Sequence, residues 1–154
     1  MSLVKLSERE LKMMGLMTEF FGGKPGLTAK IESFTSAHYG LTTAFSEDLN
    51  VPIEDAVKVF EELEEKINNA KYVKIEAPKP VGKAEVLSGD KLNMLRVLVD
   101  YFSESPKMVP GSHYLARGKD VLIDTYNWFF GGTAEEASDL LEQLSSQISS
   151  QLPT

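Results

Sequence analysis

The chain has 154 residues, a formal charge of −7 and no cysteine. That length is enough for one domain burying about 68–70% of its unfolded surface without staples, and the missing cysteines exclude a disulfide framework and a thiol nucleophile. With only three arginines, Arg9, Arg96 and Arg117, no basic stripe exists to neutralise phosphates, so neither nucleic acid nor an anionic membrane is an expected partner.

The N-terminal residues contain no apolar run of secretory length, and no later stretch approaches the roughly 18 apolar residues of a spanning helix. A cytoplasmic protein is therefore expected. Ser7-x-x-Glu10 reads as a capping box that opens a helix near 8–21. On its wheel Leu11, Met13, Met14, Leu16, Met17, Phe20 and Phe21 cover more than half the circumference and leave Lys12, Gly15 and Glu19 as a polar strip. A helix so patterned belongs at the centre of a fold. Gly22-Gly23 supplies a left-handed stop, and Pro25 forbids continuation.

A second helix, about 28–48, carries Ile31, Phe34, Leu41 and Phe45, with Leu49 just beyond. It is less regular than the third, where Ile53, Ala56, Val57, Phe60, Leu63 and Ile67 recur at spacings of three and four. Pro52 suits a first helical position, and Glu54 and Asp55 sit at the positive end of the macrodipole. The acidic run Glu61-Glu62-Leu63-Glu64-Glu65 is a wet face, with Glu54/Lys58 and Glu62/Lys66 spaced as i,i+4 pairs.

Residues 73–87 read as a linker: Tyr72 to Glu76 alternate, Pro78-Lys79-Pro80 must be extended, and at most one short strand is expected. From Ser88 the same order of elements returns. Ser88 and Asp90 are candidate N-caps of a helix near 90–102. A helix near 110–129 carries Leu115, Leu122 and Tyr126, with Phe130 just beyond, and a last one carries Ala137, Leu140, Leu141, Leu144 and Ile148. Thr133-x-x-Glu136 is a second capping box.

Sliding the chain on itself by 81 residues gives 11 identities between 7–72 and 88–153, among them Leu11/Leu92, Met13/Met94, Phe21/Phe102, Leu63/Leu144 and Ile67/Ile148. Average residue usage would give roughly 4. The expected fold is therefore all-α: a six-helix bundle over 1–154, built by tandem duplication of a three-helix unit, with units 7–72 and 88–153 packed about a pseudo-two-fold axis.

Catalytic and metal signatures are weak. Gly22-Gly23-Lys24-Pro25-Gly26 follows a helix and lacks the spacing of a phosphate-binding loop. His38 and His113 have no ligand or carboxylate partner at motif spacing and read as surface or cap residues. Glu19 and Asp100 are matched acids that could meet across the axis, but both fall on polar strips, where Arg96 can pair with Asp100. No nucleophile elbow is present. No metal, cofactor or catalytic set is assigned, and an enzyme is not expected.

The informative feature is a mismatch between the repeats. Where the first has Glu47 and Asp48, the second has Trp128 and Phe129, and Gly40 and Thr42 are answered by Val121 and Ile123. Exposed aromatic patches mark contact surfaces. The expectation is a non-enzymatic protein that associates with itself or a protein partner through Ile123, Tyr126, Trp128, Phe129 and Phe130. Two rivals stand beside it: the linker covers Trp128 and Phe129, or a small apolar or cofactor-like ligand lies between the repeats against Met13, Met17, Met94 and Tyr101.

Overall fold

Alternation in the Tyr72–Ile75 segment decides the first departure from an all-helical chain. In the computed structural model, which describes residues 3–21, 37–75, 85–103 and 118–151, β2 (Tyr72–Ile75) is the middle of a three-stranded sheet. It pairs in parallel with β1 (Leu3–Lys5) and antiparallel with β3 (Glu85–Leu87). Val73 faces Val4 on one side and Leu87 on the other. Val73, Ile75 and Leu87 are all buried, so the inward positions of two strands join the helical core. The linker therefore contributes two strands rather than at most one, and the chain is mostly helical with a small sheet.

Six helices lie among the described residues: α1 (Glu8–Phe21), α2 (Ala37–Leu49), α3 (Ile53–Asn69), α4 (Gly89–Tyr101), α5 (Gly118–Phe130) and α6 (Ala134–Ser149). The expected second helices began earlier than α2 and α5. Those extra residues, 28–36 and 110–117, lie outside the described residues, as do Gly22 to Gly26 and His113. None of the described helices is long and apolar enough to cross a membrane.

Both predicted capping boxes form. At α1, Glu10 N–H donates to Ser7 Oγ at 3.2 Å while Ser7 N–H donates to Glu10 Oε1 at 2.8 Å. At α6 the reciprocal bonds between Thr133 and Glu136 are 3.0 and 3.1 Å. Each satisfies two of the four orphan donors of a helix start, worth about 1 kcal/mol. Pro52 stands at the N-cap of α3, one place before the first helical residue. Ser88 holds the N-cap of α4 without a side-chain cap bond.

α1 and α4 are buried nearly all round, as their patterns require. Met13, Met14, Met17, Met94, Leu95 and Leu98 have no exposed surface, and even Gly15, on the expected polar strip of α1, is buried. α1 packs against α2, α3 and α6, and α4 packs against α3, α5 and α6. Where the two meet, Phe20, Phe21, Tyr101 and Phe102 form an edge-to-face cluster, with Phe21–Tyr101 centroids 4.9 Å apart and Phe20–Phe102 5.6 Å apart. Such pairs add about 0.5–1.5 kcal/mol each beyond burial.

Polar ties reinforce the packing. The Arg96 guanidinium donates to the carbonyls of Ile67 and Ala70 and to Asn93 Oδ1, so it engages the negative end of α3. Lys66 Nζ reaches Glu10 Oε1 at 2.6 Å and the Lys5 carbonyl at 3.4 Å, joining α3 to α1 and β1.

Candidate functional site

α5 has two kinds of surface. Leu122, Ile123, Thr125 and Tyr126 point inward and are buried, which fixes the helix on α4 and α6. One turn on, Trp128 is 70% exposed, Phe129 55% and Phe130 46%. Ile123 and Tyr126, expected on the contact surface, are thus core residues: spacings of three and four residues put them on the stripe with Leu122. The remaining three of the five expected residues are consecutive and solvent-facing. Trp128 and Phe129 are left largely exposed in the described structure.

The corner is held, not frayed. Gly131 N–H donates to the Asn127 carbonyl at 2.8 Å. Gly131 (φ +78°) and Gly132 (φ +112°) then turn through conformations open to glycine and lead directly into the Thr133 cap of α6. Phe130 packs on Tyr126 with centroids 5.1 Å apart, and on Phe129 at 6.4 Å. Such side chains bury about 150–250 Å² each, so the exposed fractions amount to roughly 250–400 Å². At about 25 cal/mol per Å², covering them gains roughly 6–10 kcal/mol before the costs of association. That is up to half of the ~800 Å² that one partner contributes to a stable interface.

Beside Phe130 opens a cleft of about 360 Å³ between the starts of α4 and α6, lined by Asp90, Tyr126, Asn127, Gly132 and Glu136. Burial pushes the Tyr126 phenol pKa above its ordinary value, and the Asp90 carboxylate pushes it the same way. Asn127 Oδ1 is shut off from solvent and receives no hydrogen bond.

The other candidates lie elsewhere. Met13, Met17, Met94 and Tyr101, proposed to line a groove between the repeats, have no exposed surface and belong to the core cluster. His38, expected at the surface or a cap, is buried: its Nδ1–H donates to the Phe102 carbonyl at 3.1 Å and its ring stands edge-on to Phe60 at 5.2 Å. Glu19 and Asp100 are half-buried on α1 and α4. Among the described residues no three His, Asp or Glu side chains are placed to hold a metal.

No family model matches the chain. Nor does any curated protein or any solved structure. The site must be read from its own chemistry. The cleft beside Phe130 escaped sequence reasoning, although one signal was present: Asp90 stands 81 residues after Arg9, an inversion of charge at equivalent positions.

Proposed function

We propose that this chain is a duplicated helical body that works by protein association, in a homo-oligomer or with a separate partner, through Trp128, Phe129 and Phe130. The observation that carries the reading is the run of three exposed aromatics at the end of α5. At the corresponding end of α2 stand Glu47, Asp48 and Leu49, of which Glu47 and Asp48 are exposed and Asp48 pairs with Lys12 at 3.0 Å. One corner is wetted by charge and the other is left apolar, which is costly for a surface without a partner.

The duplication is supported by more than sequence identity. Displaced by 81 residues, the bounds of α2 fall on those of α5, and α1 and α3 fall on α4 and α6 to within one residue at each end. Left-handed residues close α2 and α5 at matching places, Asn50 (φ +54°) and Gly131. Core positions pair as Leu41/Leu122, Phe45/Tyr126, Ala56/Ala137 and Leu63/Leu144, all buried. Contacts between the halves pair too: α1 lies on α6 as α4 lies on α3. These matches favour a pseudo-two-fold relation between units 7–72 and 88–153 within one body.

Sedimentation velocity and native mass spectrometry across the micromolar range test the homo-oligomer. The expected result is an assembly that Trp128→Ala combined with Phe129→Ala converts to monomer with unchanged helicity. A wild-type chain that stays monomeric throughout overturns self-association.

A further inference from the structure

We infer that the cleft beside Phe130 receives a guanidinium or ammonium group on an alkyl stem, the arginine or lysine side chain of a partner segment that also lies on Trp128. This rests on the association reading for the source of the cation, and on the cleft itself for its chemistry.

The first half of the chain supplies an internal reference. There Arg9 Nη1 lies 3.9 Å from Asp55 Oδ2, and the cleft around them also holds Lys58. Moved on by 81 residues, Arg9 becomes Asp90, Asp55 becomes Glu136 and Lys58 becomes Asp139. Both basic side chains of the first cleft are thus replaced by acids, although Asp139 stands outside the lining of the second; of the first cleft's three acids Asp55 is kept as Glu136, while Glu8 and Glu62 become Gly89 and Gln143. Asp90 and Glu136 line the second cleft together. Among the described residues no arginine or lysine lines it, so two carboxylates from different helices share one opening without a described counter-charge.

Three further changes go the same way. Ser46 donates its hydroxyl to the Val51 carbonyl at 2.6 Å, whereas its counterpart Asn127 leaves Oδ1 buried without a donor. Phe45 becomes Tyr126, which brings a phenol to the cleft, and Leu49 becomes Phe130, which brings an aromatic wall. A Cβ at Gly132 would make ordinary contact with Glu136 Oε1 at 3.5 Å and Asn127 Oδ1 at 3.6 Å. Those two oxygens therefore flank one point of backbone. Two carboxylates and an aromatic wall together suit a cation that donates several hydrogen bonds and stacks on a ring. The volume of about 360 Å³ lies at the small end of ligand sites. Phe130 belongs to both the cleft and the exposed run at the end of α5, and the proposed segment, lying on that run, places a neighbouring side chain at the cleft mouth.

The test uses two probes on the full chain, butylguanidinium and the blocked dipeptide acetyl-Leu-Arg-amide, followed by amide NMR. Butylguanidinium is expected to give saturable shifts centred on the Asn127 side-chain amide, Gly131 and Gly132. Its neutral analogue butylurea should bind at least about tenfold more weakly. Asp90→Arg, which restores the first half's pairing, should abolish the shifts. Asp90→Asn with Glu136→Gln should weaken binding about tenfold while keeping the capping-box geometry, which glutamine also satisfies. The dipeptide should bind several-fold tighter than butylguanidinium and lose that margin on Trp128→Ala. Equal shifts with butylurea, or binding that survives Asp90→Arg, overturn the cation site. Cation binding with no gain for the dipeptide overturns the partner as its source. Neither result bears on self-association, which the sedimentation experiment decides separately.

Discussion

Replacing Glu10 by alanine removes one carboxylate that serves two partners. Its Oε1 accepts the Ser7 N–H at 2.8 Å and Lys66 Nζ at 2.6 Å, in a nearly buried position. Loss of the cap costs about 1 kcal/mol. Removing one partner of a fully buried pair costs about 3–5 kcal/mol, but the Lys66 side chain is 36% exposed and can rehydrate. The ion-pair share is therefore discounted to about 1 kcal/mol. The total, about 2 kcal/mol, lowers Tm by roughly 4–8 °C at this chain length. The control is built into the molecule: Glu136 makes the same box with Thr133 but is exposed and, among the described residues, engages that cap alone and no ion pair. Glu136→Ala should cost about 1 kcal/mol or less, and Glu10→Gln, which keeps the cap and loses the charge, about 1 kcal/mol. Urea unfolding followed by circular dichroism, at matched m values, measures all three. If Glu10→Ala and Glu136→Ala differ by less than about 0.5 kcal/mol, the reasoning from burial is wrong.

Gly132→Ala should lose about 1–3 kcal/mol because φ is +112° there, read as a lower urea midpoint. It should also weaken butylguanidinium, since the new methyl sits between two oxygens of the cleft. Trp128→Ala should leave stability within about 0.5 kcal/mol, as the ring is mostly in solvent, so an effect on assembly cannot be blamed on unfolding. The Tyr126 phenol titrates above the ordinary value of 10.0, through burial first and Asp90 second. The folded state thus holds this proton more tightly than the unfolded chain. The stability this provides is fully present below pH 10.0 and is lost as pH rises through the folded value. An absorbance titration of wild type against Tyr126→Phe checks it, and Asp90→Asn should move the phenol back down; no such movement would remove Asp90 as a cause.

The parts of this fold that were legible in the sequence are those written locally. Ser7/Glu10 and Thr133/Glu136 announce helix starts because both bonds of a capping box fall within four residues. The near-continuous apolar wheel of α1 and α4 announces central helices because 3.6-residue periodicity needs no distant partner. The sheet was hidden for the opposite reason. β1 has three residues, and its pairing is with Tyr72–Ile75, some 70 residues away. His38 was misjudged because its partner, the Phe102 carbonyl, lies in the other half of the chain. Of the candidate surface, Trp128 and Phe129 stood out because equivalent positions carry acids. Ile123 and Tyr126 follow the helical stripe inward, a fact visible only once Leu122 is known to face the core. The cleft stayed unseen because its signal is two lost cations, not a motif gained.

The packing of the first helix on the last sets a timetable. One side of α1 is closed by α6, whose first residue emerges more than a hundred residues after α1 is complete. At the usual ~5–20 residues per second of synthesis, the flank of α1 that α6 closes waits roughly 6–25 s for that cover. During this interval β1, β2 and α3 are all already synthesised, yet the surface that α6 covers stays open to the surroundings. The nascent chain is therefore most vulnerable to misassembly late in its making, and a truncation that removes α6 should make the product more dependent on a chaperone than the full chain.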